Sequence, residues 1–252
     1  MKYRIIIILL FLIMITVAHA DHNSYLYDQA NQQYQQENYQ EATKQYEEII
    51  ANGFESWEVY YNLGNSYYKL GEIGKAILNY ERAKRLASDN EDVKANLELA
   101  NLKITDKIVE PPSFFLFTIV DGVKRVFGLN TLTWIVVILY LVLMLIIILR
   151  ILLRNGKFSI FTRIVMPVAL VLFLVSAAVL GLKIYDHTHI HYGIVLAEEV
   201  IIRSSPEMSS TELFTLHEGV KVQLQKENSG WFQIRLKDGK VGWMKQDAVE
   251  II

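Results

Sequence analysis

The sequence predicts a multidomain membrane protein in three parts: an all-α repeat solenoid, two transmembrane helices and a small all-β barrel. Three observations predict it. Residues 21–108 match themselves at an offset of 34. Residues 131–149 and 164–182 contain no charged side chain. Residues 193–252 alternate polar and apolar in short runs broken by glycine.

The chain starts with Lys2 and Arg4, continues through thirteen apolar or small residues, and reaches Ala18-His19-Ala20. That order predicts a secretory signal over 1–20, with an uncleaved anchor as the alternative. There is no cysteine, so disulfides, thiolate catalysis and cysteine-ligated metals are excluded. Net charge is −2, and residues 21–108 hold nine Lys/Arg against fifteen Asp/Glu, a balance that repels nucleic acid.

In the 34-residue self-match, Tyr27 falls on Tyr61, Asn31 on Asn65, Tyr34 on Tyr68, Ala42 on Ala76 and Tyr46 on Tyr80. Such a period marks a helix–turn–helix unit with small residues at the helix crossings, and it resembles the tetratricopeptide repeat. Residues 23–56 and 57–90 form two units. Residues 91–107 supply a further first helix through Leu97, Leu99 and Leu102, the cap that stacked repeats need. Leu63, Tyr67 and Tyr80 are expected between the helices. The resemblance implies a concave groove lined by the first helices. Tyr27, Asn31, Tyr34, Tyr61, Asn65 and Tyr68 would face a bound peptide there, the amides gripping backbone and the phenols offering flat contact. A packing role for the same residues is the alternative.

After Pro111-Pro112, which end the preceding helix, residues 111–130 place Leu116, Ile119, Val120, Val123, Val126 and Phe127 on one helical face. This segment is expected to lie on the membrane surface, or else to be a loop. Spans follow at 131–149 and at 164–183, each long enough for a ~30 Å hydrocarbon core. The link 150–163 carries Arg150, Arg154, Lys157 and Arg163 without an acid, so it is expected in the cytoplasm, with both flanks outside. Neither span has an ionisable residue, which favours anchors over an ion path. Ala177 and Gly181 form a small-xxx-small pair on the second span. Residues 184–192 read as a linker.

In 193–252, Val220, Val222 and Leu224 alternate with polar residues, as do Phe232, Ile234 and Leu236. Gly239 and Gly242 mark a tight hairpin. "IIRSSPE", Gly219, Trp231 and "DGKVGW" together resemble a bacterial SH3 domain. Ile201 stands where that family usually has asparagine. The resemblance implies a possible cell-wall peptide ligand. Trp231 shares strand parity with Gln233 and Arg235, which makes it an exposed contact residue unless it folds over the barrel end.

No catalytic motif is present, and no enzyme or cofactor is expected. His187, His189 and His191 would share a face if extended, and three imidazoles can hold zinc. A membrane-exit linker offers no supporting shell, so no metal site is expected. The order of parts, with "LKITDKI" and the proline pair, resembles the BatE family of aerotolerance operons. That resemblance implies a scaffold in the cytoplasmic membrane with external repeats and barrel. It implies von Willebrand factor A-type and BatD-type membrane proteins as partners, with a MoxR-type ATPase nearby. A cell-wall sensor whose barrel binds peptidoglycan is the alternative.

Overall fold

The computed structural model describes residues 22–109, 115–152 and 156–252. The expected signal segment and the proline pair lie outside them. The chain divides into two compact units, one formed by 22–109 together with 192–252, the other by the intervening helices.

In the first unit, α1 (22–35) pairs with α2 (Tyr39–Ala51), α3 (Trp57–Leu70) with α4 (Ile73–Leu86), and α5 (Glu91–Lys103) closes the series. Each start and stop has a local cause. The Ser56 hydroxyl accepts from the Val59 N–H at 3.3 Å and the Asn90 amide oxygen from the Val93 N–H at 3.1 Å, each filling an orphan donor at a helix start. Gly71 ends α3 in the left-handed region at φ 85°. Glu37 takes the equivalent turn 34 residues earlier at φ 63°.

Leu26, Ala30, Tyr46, Ile49, Leu63, Tyr67, Ala76 and Tyr80 form the core between these helices. Gly64 is small for the predicted reason: a Cβ there would sit 2.7 Å from the buried Tyr80 ring. The capping helix departs from expectation. Leu97 is buried, but Leu99 and Leu102 are 52% and 69% exposed. The buried face is Val93, Leu97 and Ala100, the i, i+4, i+7 stripe of a single helix side.

Seven antiparallel strands make the barrel: β1 (His191–Val195), β2 (Glu199–Arg203), β3 (Glu212–His217), β4 (Lys221–Asn228), β5 (Trp231–Arg235), β6 (Val241–Lys245) and β7 (Val249–Ile251). Their order is β3-β2-β6-β5-β4-β1-β7. Val220, Val222, Ile234 and Leu236 point inward as the alternation predicted, joined by Ile202 and Met244. Gly242 belongs to strand β6 rather than to the hairpin turn. A side chain there would run into Ile202 where β2 crosses.

The helical and barrel cores interlock. Ile194 from β1 is fully buried in the helical core, with Leu196 and Ile252 against it, while Ile108 reaches the barrel core. Ion pairs rim the contact. Lys221 Nζ meets Glu81 Oε2 at 2.7 Å and Arg82 meets Glu250 at 2.7 Å. Arg82 also donates to the Ile251 carbonyl and Arg85 to the Ile252 carbonyl. Asp106 accepts the His217 N–H at 2.7 Å, holding the chain after α5 along the end of β3. Magnitudes decide what holds the parts together. Burying one isoleucine is worth about 1.5–3 kcal/mol, whereas a partly exposed ion pair gives roughly 0–1 kcal/mol. Apolar burial drives the docking, and the charges fix its register.

The second unit holds α6 (Phe115–Val126), α7 (Leu129–Leu152) and α8 (Gly156–His189). Both α7 and the 162–186 stretch of α8 are long and apolar enough to cross a membrane. Leu132 and Leu143 of α7 are buried, as are Ala169 and Val179 of α8, and the Tyr140 and Phe173 rings lie 6.1 Å apart. Helix α6 is tied to α8 by Lys124, whose ammonium lies 2.7 Å from Asp186. Ile119 and Val126 stay exposed on it.

Two expected irregular stretches are helical. The predicted link 150–163 is helix on both sides of residues 153–155, and the predicted linker 184–192 continues α8 to His189. Among the described residues both stretches simply extend the adjoining apolar helices, because a helix already nucleated propagates at little cost. The extended geometry that would align His187, His189 and His191 therefore does not occur. His189 instead stacks on Tyr185 at 4.4 Å between ring centroids.

Candidate functional site

A hydrogen-bond ladder runs along the first helices of the repeats. Tyr46 donates its hydroxyl to the Asn31 amide oxygen at 2.6 Å, and Asn62 donates to the same oxygen at 3.1 Å and to the Tyr27 hydroxyl at 3.0 Å. One repeat later, Tyr80 donates to Asn65 at 2.8 Å, while Asn96 donates to Asn65 at 2.8 Å and to Tyr61 at 2.9 Å. Every member of the second set is 34 residues beyond its counterpart in the first. Burial pushes the Tyr46 and Tyr80 phenols well above their ordinary range, so both remain donors at neutral pH.

The ladder corrects the expectation that Asn31 and Asn65 lie free on the groove. Each is half-buried, and its amide oxygen bridges its own helix to the partner helix and to the next repeat. Two acceptor sites on one oxygen suit this junction, because a tyrosine and an asparagine must both be satisfied where three helices meet. Asn62 and Asn96 are members of the ladder outside the expected groove residues. Their 34-residue spacing was the available signal.

What the ladder leaves open is a hollow of about 170 Å³ lined by Tyr34, Asn65, Tyr68, Lys69, Asn96 and Leu99, with Tyr80 beneath. Tyr34, Asn65 and Tyr68 thus come together at one place. Tyr27, Asn31 and Tyr61 lie in the ladder beside it, and Tyr61 contacts the Tyr80 ring at 6.0 Å. The Lys103 ammonium sits 4.0 Å over the Tyr68 ring.

Trp231 is elsewhere and is not an exposed contact residue: only 8% of it is accessible. It opens strand β5 beside the turn Gln246–Ala248, which is tied down by the Gln246 N–H to the Gly230 carbonyl at 3.0 Å. Strand parity fails at this first residue because the turn folds over the barrel end. The indole forms part of a separate hollow of about 440 Å³ with Glu199, Ile201, Arg203, Met208, Lys245 and Asp247. Ile201, the departure from the family pattern, is therefore part of that wall. Arg203 is engaged with Glu212 at 3.0 Å and with the Ser210 carbonyl at 2.8 Å.

Two family models match the chain: the tetratricopeptide repeat over residues 57–90 and the bacterial SH3 domain over residues 198–250. No match was found among the curated proteins compared. The chain thus carries a tetratricopeptide repeat and a bacterial SH3 domain, with two apolar helices between them in sequence. Modules of these kinds are typically non-catalytic and bind proteins or cell wall.

Proposed function

We propose that this chain is a non-catalytic, membrane-anchored scaffold whose helical repeats dock protein partners of an envelope complex. The observation that carries this reading is the shared core of the repeats and the barrel. It supports a hairpin with both ends on one side of the bilayer, because one folded body cannot straddle it. It also leaves the first-helix hollow open while the barrel occupies the α4 side, through Glu81, Arg82 and Arg85. The basic link supports placing that body outside the cytoplasmic membrane. The BatE resemblance supports von Willebrand factor A-type and BatD-type membrane proteins as partners, in an aerotolerance-related assembly. Crosslinking in cells followed by purification of the full chain should recover those membrane proteins, and Tyr68→Ala should reduce them. Recovery that is unchanged in Tyr68→Ala would overturn groove docking.

Orientation has its own test. A cysteine introduced at Asn155 should resist an impermeant maleimide in intact spheroplasts, whereas cysteines at Gln36 or Ser229 should label. The native chain has no cysteine to interfere. Labelling at Asn155 alone would reverse the proposed topology.

The hollow beside Trp231 favours a second reading, in which the barrel binds a cell-wall peptide. Its apolar wall and both signs of charge suit a short zwitterionic peptide. Retention of the full chain on purified sacculi, lost in Ile201→Glu, would support that sensor role.

A further inference from the structure

We infer that the first-helix hollow selects an acidic peptide segment. This rests on the docking reading above and adds the chemistry of the partner. The repeat region is acidic as a whole, with fifteen Asp/Glu against nine Lys/Arg in 21–108. The hollow reverses that sign: no carboxylate lines it, and Lys69 does. Lys103 stands one repeat further, 34 residues on, at the same helical position of α5. Both lysines are exposed, and neither is ion-paired among the described residues. The Lys103 ammonium lies 4.0 Å over the ring of Tyr68, which itself lines the hollow, so both cations stand at the same place.

The rest of the wall fits an extended chain. Leu99 offers an exposed apolar surface, and Tyr34 and Tyr68 line the hollow beside it. The Asn65 amide oxygen is already used twice within the ladder, so the amide cannot be read as a peptide acceptor. Charge complementarity with Lys69 and Lys103 then supplies the selectivity, and the apolar and aromatic surface supplies sequence-tolerant contact.

The test uses the full chain in nanodiscs of zwitterionic lipid and three labelled octapeptides, alternating alanine with glutamate, glutamine or lysine. The glutamate peptide should bind most tightly, and its affinity should fall as salt rises. Lys69→Gln and Lys103→Gln should each weaken it by about two- to fivefold, the range for partly exposed charge pairs. Neither substitution should change the thermal melt. Equal binding of the glutamine and glutamate peptides, both lost in Tyr68→Ala, would overturn the charge inference while leaving groove docking standing. Glutamate-peptide binding indifferent to both lysine substitutions, or absent, would overturn it as well. The recovery of membrane partners by crosslinking decides the docking reading separately.

Discussion

Replacing Asn31 and Asn65 together by alanine should lower the stability of the folded chain by about 2–6 kcal/mol, taking ~1–3 kcal/mol for each buried hydrogen-bonding group left unsatisfied. Each substitution removes the acceptor shared by a buried tyrosine hydroxyl and an asparagine amide: Tyr46 with Asn62, and Tyr80 with Asn96. Tyr46 and Tyr80 are 0% and 1% exposed, so each hydroxyl relies on its asparagine for an acceptor in the folded chain. Were the amides groove residues alone, the variant would melt like the parent and lose only partner binding. A thermal or chemical melt of the full chain separates the two outcomes. Tyr46→Phe with Asn31→Ala should be less damaging than the sum of the singles, because each removes half of one bond.

Gly219→Val is expected to be the most damaging single change at the contact between helices and barrel. Gly219 sits at φ 86°, a left-handed conformation that costs a residue with a Cβ about 1–2 kcal/mol. A side chain there would also run into Ile104 and come within 3.0 Å of Ile77, both part of the helical side. Overpacking of this kind costs ~1–3 kcal/mol. The sum, about 2–5 kcal/mol, is enough to part the barrel from α4 while each core persists. A denaturation curve of the variant should show separate helical and barrel transitions where the parent shows one. A single, unshifted transition would mean that the contact contributes nothing to stability.

The repeats were legible because their signal is periodic and local. Tyr27, Tyr61 and the small residues at Ala42, Gly64 and Ala76 repeat the demands of one helix crossing. The barrel strands were legible through alternation at Val220, Val222, Ile234 and Leu236, which follows from one buried face per strand. Trp231 shows where that rule ends: at a strand's first residue an adjacent turn, not parity, decides burial. Leu99 and Leu102 show the same for helices, since an apolar residue past the contact stripe stays in solvent. The docking of barrel on helices was not legible at all. Glu81 and Lys221 are ordinary surface charges in sequence, and Ile194 looks like any strand residue. Their pairing arises only when residues on either side of the two apolar helices in sequence fold together. The ladder was half legible: Tyr27, Asn31, Tyr61 and Asn65 stand out by their 34-residue spacing, but Asn62 and Asn96, which share that spacing, have to be joined with them to reveal it.

Zero-length carbodiimide coupling of the native full chain in membranes tests that docking most directly. Lys221 Nζ and Glu81 Oε2 lie 2.7 Å apart across the contact, while Lys75 and Glu72, 2.6 Å apart within the repeats, provide an internal reference. Mass spectrometry of the digest should find both amide crosslinks, and the Lys221–Glu81 product should persist on dilution because it forms within one chain. Recovery of the Lys75–Glu72 crosslink without the Lys221–Glu81 crosslink would contradict the account.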